Sequence, residues 1–231
     1  MKILAQLRIG SLALTALYLI ALGTAITATA SAGPVTYSTS GFLNCNGAVG
    51  CTQVNGQTIQ FGGLQIQDFG IASSSVNATP FTFGSFGDLF TTCIDGTITC
   101  GQSAVPSGVT LVVQIFQSLP APGGSGSIPA GSLLGTLSGN GSQAFVSWPA
   151  SNQIQIVTPT NTTQYSIANN PLSLVPPSNN NCGIARPNCG DTTIQGRIDD
   201  LSATASPEPG TYALLGAGVM ALGVLRRKLV R

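Results

Sequence analysis

The sequence predicts an all-β protein: an antiparallel, jelly-roll-like β-sandwich, with a signal helix before it and a membrane-spanning helix after it. Three observations carry this. Short runs rich in Thr, Val, Ile and Phe recur about every ten residues, separated by Gly, Pro and Asn. No stretch of residues 33–205 holds a helical period over three turns. The uncharged apolar segments that read as helices fall outside that body, each beside basic residues.

At the N-terminus, Lys2 and Arg8 precede an apolar run from Ile9 to Leu22. Small residues follow, ending in Ala30-Ser31-Ala32. This is the n-region, h-region and A-x-A pattern of a secretory signal peptide, with cleavage set by Ala30 and Ala32. No cysteine lies near that site, which excludes a lipoprotein signal. A first transmembrane helix that stays attached is the alternative.

The body, residues 33–205, is long enough to bury a core as one domain. Candidate strands are Gln57–Phe61, Leu64–Phe69, Pro80–Phe83, Val109–Phe116, Leu133–Leu137, Ala144–Trp148, Gln153–Val157, Gln164–Ile167, Thr192–Ile198 and Leu201–Ala203. Val109–Phe116 is apolar enough for the centre of a sheet. Gln65-Ile66-Gln67 and Gln153-Ile154-Gln155-Ile156 alternate, so one sheet face is expected to be wet and the other packed. Ala121–Ile128 (APGGSGSI) reads as a flexible hairpin loop or internal linker, and Pro176–Asp191 as a long Asn-rich loop.

The whole chain has a net charge of +1, but six of its eight cations lie in the terminal segments. The body keeps Arg186 and Arg197 against Asp68, Asp88, Asp95, Asp191, Asp199 and Asp200. With no cationic stripe to neutralise phosphates, nucleic-acid binding is not expected.

Six cysteines form three close pairs: Cys45 with Cys51, Cys93 with Cys100, and Cys182 with Cys189. An even count in an exported chain reads as disulfides, and six cysteines allow fifteen pairings. Local bridges are favoured because each pair flanks a Gly-, Asn- or Pro-rich loop. Structural zinc is disfavoured by the absence of histidine and of any C-x-x-C.

The body has neither histidine nor lysine, so a Ser–His or Ser–Lys nucleophile has no base. A glycosidase needs two cooperating carboxylates, and neighbours such as Asp199 and Asp200 point to opposite faces of a strand. Asp88 and Asp95 could meet only through folding. The expectation is therefore no enzyme and no cofactor. Asp191, Asp199 and Asp200, with Asn179–Asn181, could offer oxygen ligands to calcium. No calcium-loop motif is present, solvated turn aspartates are the simpler reading, and no metal is expected. Sugar binding would use aromatic side chains, of which Trp148, Tyr37, Tyr165 and several phenylalanines are candidates. Trp148 lies in an alternating run and reads more simply as packing.

The C-terminal segment, residues 206–231, is the most specific feature. Pro207 and Pro209 hold the chain extended around Glu208, the sole glutamate of the sequence. The uncharged run from Thr211 to Leu225 spans roughly 22 Å as a helix, short of a bilayer core of about 30 Å. Arg226, Arg227, Lys228 and Arg231 follow, placing the C-terminus in the cytoplasm by the positive-inside rule. An ordinary anchor and a buried core helix are the alternatives; a Leu-Pro-x-Thr-Gly sortase motif is absent.

This arrangement resembles the PEP-CTERM sorting signal of Gram-negative bacteria. The resemblance implies recognition by a membrane-embedded exosortase, processing near Pro207-Glu208-Pro209, and at least transient contact with the inner membrane. It also implies an envelope, surface or extracellular-matrix setting in which exopolysaccharide is a possible partner. Leu174–Pro177, Asn179–Asn181 and Thr192–Gly196 resemble a set of exported PEP-CTERM cargo domains, implying a β-sandwich. The expected function is structural or adhesive, with a polysaccharide-binding module as the alternative.

Overall fold

In the computed structural model, residues 33–78, 80–177, 188–201 and 216 are described. The predicted N-terminal helix lies outside these residues, and of the predicted C-terminal helix only Gly216, which is helical, lies within them. Among the described residues no helix is long and apolar enough to cross a membrane.

The chain forms β1 (Val35–Asn44), β2 (Thr52–Asn55), β3 (Thr58–Phe61), β4 (Leu64–Phe69), β5 (Ser74–Val76) and β6 (Phe81–Cys93). There follow β7 (Ser103–Ala104), β8 (Thr110–Leu119), β9 (Gly124–Ser127), β10 (Gly131–Leu134), β11 (Thr136–Ser138) and β12 (Gly141–Ser142). The last are β13 (Phe145–Ser147), β14 (Gln153–Val157), β15 (Thr162–Ile167), β16 (Leu172–Ser173) and β17 (Cys189–Asp200).

Two seven-stranded antiparallel sheets, each curled into a half-barrel, carry the fold. The first runs β16-β13-β10-β8-β1-β5, with β9 added to β8. The second runs β14-β15-β17-β6-β4-β3-β2, and β12-β11-β7 make a small third sheet. The all-β, antiparallel expectation is met.

The core follows from alternation. On β8, Leu111, Val113 and Ile115 are buried while Thr110, Val112 and Gln114 are less so. Tyr37 on β1 meets Phe86 on β6 and Tyr165 on β15, each at a centroid separation of 5.9 Å. These edge contacts tie the first sheet to the second. Both tyrosine hydroxyls are satisfied: Tyr37 donates to the Ser85 carbonyl (3.0 Å) and Tyr165 to Gln117 Oε1 (2.9 Å).

Several sequence expectations are corrected. Leu133–Leu137 is not one strand: Gly135, at φ +95°, turns the chain so that β10 and β11 enter different sheets. Of the two readings of the Gly-Ser segment, the internal linker is overturned and the hairpin is met in part, since β9 pairs antiparallel with β8 and only residues 120–123 turn the chain. The segment's glycines let it lie close to β14, because a Cβ on Gly124 would come within 2.6 Å of the Ile156 side chain. Cys189 and Asp191 belong to β17 rather than to a loop, and Leu201 sits in a turn rather than a strand.

The β6 strand runs well beyond the Pro80–Phe83 segment expected. A bulge explains why its pattern is hard to read. Across from β17, register shifts between Thr193 and Gln195, where Gly87 adopts φ +133°. One extra residue reverses the alternation. Phe81 and Phe83 before it therefore share an outer face with Asp88 and Phe90 after it.

Candidate functional site

The outer face of the second sheet gathers the exposed chemistry. Pairing register sets two rows across β6, β17, β15 and β14: Phe81–Asp199–Gln164–Gln155 and Phe83–Arg197–Ser166–Gln153. Four strands at about 4.8 Å spacing make this patch roughly 14 Å wide. Phe81 and Phe83 are 45% and 61% exposed, their rings 5.9 Å apart and nearly perpendicular.

Arg197 organises the middle of the patch. Its guanidinium lies 4.4 Å from the Phe81 ring centroid. It also donates to Asp199 Oδ1 from Nε (3.0 Å) and Nη2 (2.7 Å). With half-exposed arginine this pair adds at most about 1 kcal/mol of stability; its consequence is to fix the guanidinium plane. Beside it, Gln164 donates to Gln153 (3.1 Å) and accepts from Gln155 (3.2 Å). Flat aromatic rings flanked by amides, a guanidinium and a carboxylate can stack on apolar ring faces and bond hydroxyls. The Phe-x-Phe and Arg-x-Asp spacings were the sequence signals for this patch, and sequence reasoning passed over both.

The aromatic candidates named individually from sequence, Trp148, Tyr37 and Tyr165, are elsewhere. Trp148 is 4% exposed, and Tyr37 and Tyr165 are fully buried, so none can stack on a ligand at the surface. The packing reading of Trp148 holds.

The aspartates offered as calcium ligands are not gathered at one place, and Asn179–Asn181 lie outside the described residues. Asp191 and Asp199 are eight residues apart on one strand, roughly 26 Å at strand rise. Asp199 and Asp200 are buried strand residues, not solvated turn aspartates. Asp191 has its carboxyl raised above the ordinary range by burial and by nearby Asp88. Asp88 accepts from Thr193 Oγ1 at 2.7 Å, whereas Asp95 accepts from Thr97 in a turn, so those two carboxylates are not brought together. Among the described residues no cluster of three or more His, Cys, Asp or Glu could hold a metal ion.

Two disulfides have the local pairing expected: Cys45–Cys51 and Cys93–Cys100. Cys189 is also disulfide-bonded, while Cys182 lies outside the described residues. Ala30, Ala32, Pro207, Glu208, Pro209, Arg226, Arg227, Lys228 and Arg231 lie outside them too.

In comparison with known families, residues 207–228 match the PEP-CTERM protein-sorting motif. The motif implies an exported protein sorted by an exosortase, and the disulfides accord with a cell-surface destination. No curated protein and no solved structure matches the chain.

Proposed function

We propose that the chain is a structural or adhesive protein of the cell envelope or extracellular polysaccharide matrix, released or anchored after exosortase processing. The sorting motif at residues 207–228 is the observation that carries this reading. A body that we read as a jelly-roll-like sandwich, stapled by short-loop disulfides and nearly free of charge, suits an exposed, non-catalytic role. The same body lacks histidine and lysine, which supports the proposal that it is not an enzyme and uses no cofactor.

A second reading, a polysaccharide-binding module in the same matrix, is favoured by one observation: the exposed Phe81–Phe83 pair beside Arg197 and the glutamine row. Glycan arrays probed with wild type and with Phe83→Ala discriminate the two. A structural protein gives no saturable glycan signal in either form. A binding module gives a signal that falls at least tenfold in Phe83→Ala, since stacking on an exposed ring is the contact removed. Phe83 is more than half exposed, so its loss is expected to leave folding nearly unchanged.

A further inference from the structure

The seam between the sheets contains a buried carboxyl that none of the preceding chemistry uses. Beyond Tyr37, where pairing with β5 ends, one edge of β1 has no strand beside it. Its outward N–H groups still need acceptors. Thr39 donates to the Ile71 carbonyl and Leu43 to the Gly56 carbonyl, both at 2.9 Å. Between them, Gly41 donates to a side chain, Asp68 Oδ2 on β4, also at 2.9 Å. A carboxyl thus stands where a neighbouring strand would place a carbonyl, and it bridges the first sheet to the second.

The fit is close and dry. Asp68 is 1% exposed, and a Cβ on residue 41 would come within 2.1 Å of the Asp68 carboxyl carbon, so glycine alone leaves room. Asp68 Oδ1 is buried with no hydrogen-bond partner among the described residues. A neutral carboxyl tolerates that setting. An ionised one, held by a single N–H, is a buried charge without a counter-ion.

We propose that Asp68 is a proton-controlled clasp between the two sheets: protonated, it closes the seam on Gly41, and ionised, it loosens this edge of β1. The charged group that acts on it is Asp88 on β6, whose negative charge also disfavours ionisation. β1 presents only the Tyr37 phenol, which donates to Ser85, while β3 and β8 contain no ionisable side chain. Burial, opposed by the Gly41 bond, pushes the Asp68 carboxyl up to about 7. Between its ordinary value and about 7 the folded protein holds a proton that the unfolded chain has released. The clasp's contribution is therefore full in acid and is lost as pH rises through about 7. An exported protein exposed to the external medium would meet this range directly.

Hydrogen exchange of the purified full-length chain tests the clasp. After correction for the intrinsic rate, the Gly41 amide is expected to exchange at least tenfold faster at pH 8 than at pH 5, with β17 amides changing little. In Asp68→Asn the difference disappears. Equal Gly41 protection at both pH values in wild type, or an undiminished difference in Asp68→Asn, would overturn the proposal. If Asp68→Asn does not fold, the carboxyl carbon of wild-type Asp68 decides by NMR. A titration midpoint near 7 supports the clasp, and one in the ordinary aspartate range refutes it.

Discussion

Replacing Trp148 with alanine is expected to cost about 3–5 kcal/mol of folding stability, in line with other buried large-to-small changes. The indole is 4% exposed and lies against Gly131 on β10, where an added Cβ would come within 2.8 Å of Nε1. Its main chain is fixed as well. Trp148 N–H donates to Asn170 Oδ1 (3.1 Å), and Asn170 Nδ2 donates back to the Trp148 carbonyl (3.0 Å). With both main-chain groups held, the surroundings have little freedom to collapse into the cavity. Denaturant unfolding of the full-length chain checks this, as a lowered midpoint at unchanged slope. Had Trp148 been a surface stacking residue, the same substitution would abolish glycan binding and leave the midpoint nearly where it was.

Gly196→Ala is expected to be similarly severe, on the order of 3 kcal/mol, through overpacking rather than a cavity. Gly196 lies on β17 at the centre of the second sheet, directly beneath the Phe86 ring, and a Cβ there would fall 2.0 Å from a ring carbon. The ring cannot swing aside, because Tyr37 and Tyr165 flank it at 5.9 and 6.1 Å. A double-mutant cycle makes the cause explicit. Phe86→Leu frees space, so Gly196→Ala made in that background is expected to cost at least 1 kcal/mol less than in wild type. Additive effects of the two substitutions would show that the methyl group acts through the β17 backbone instead.

Strands with plain alternation were legible before any coordinates. Val109–Phe116 and Gln153–Val157 fall where expected because hydrophobic period and burial coincide there. β1 was missed because its buried positions include Tyr37, Thr39 and Gly41, whose inward roles are hydrogen bonding and close approach rather than apolar bulk. β6 was read only up to Phe83 because the bulge at Gly87 reverses its alternation, and sequence period cannot register a reversal. The glycines of β9 resembled a linker, although they are the small residues that fit against Ile154 and Ile156. The surface patch was hidden for a related reason. Phe81, Phe83, Arg197 and Gln164 come from three strands distant in sequence, and only pairing register sets them side by side. The sorting motif needed none of this, since its parts lie in order on one short segment.

The most direct test of an exported, exosortase-sorted protein is the intact mass of the chain recovered from its native envelope or medium. The expected species begins after Ala32, carries its cysteines as disulfides, and ends within or beside Pro207–Gly210. Recovery of a chain that retains the residues through Arg231 would contradict processing at the motif and point to a permanent C-terminal anchor.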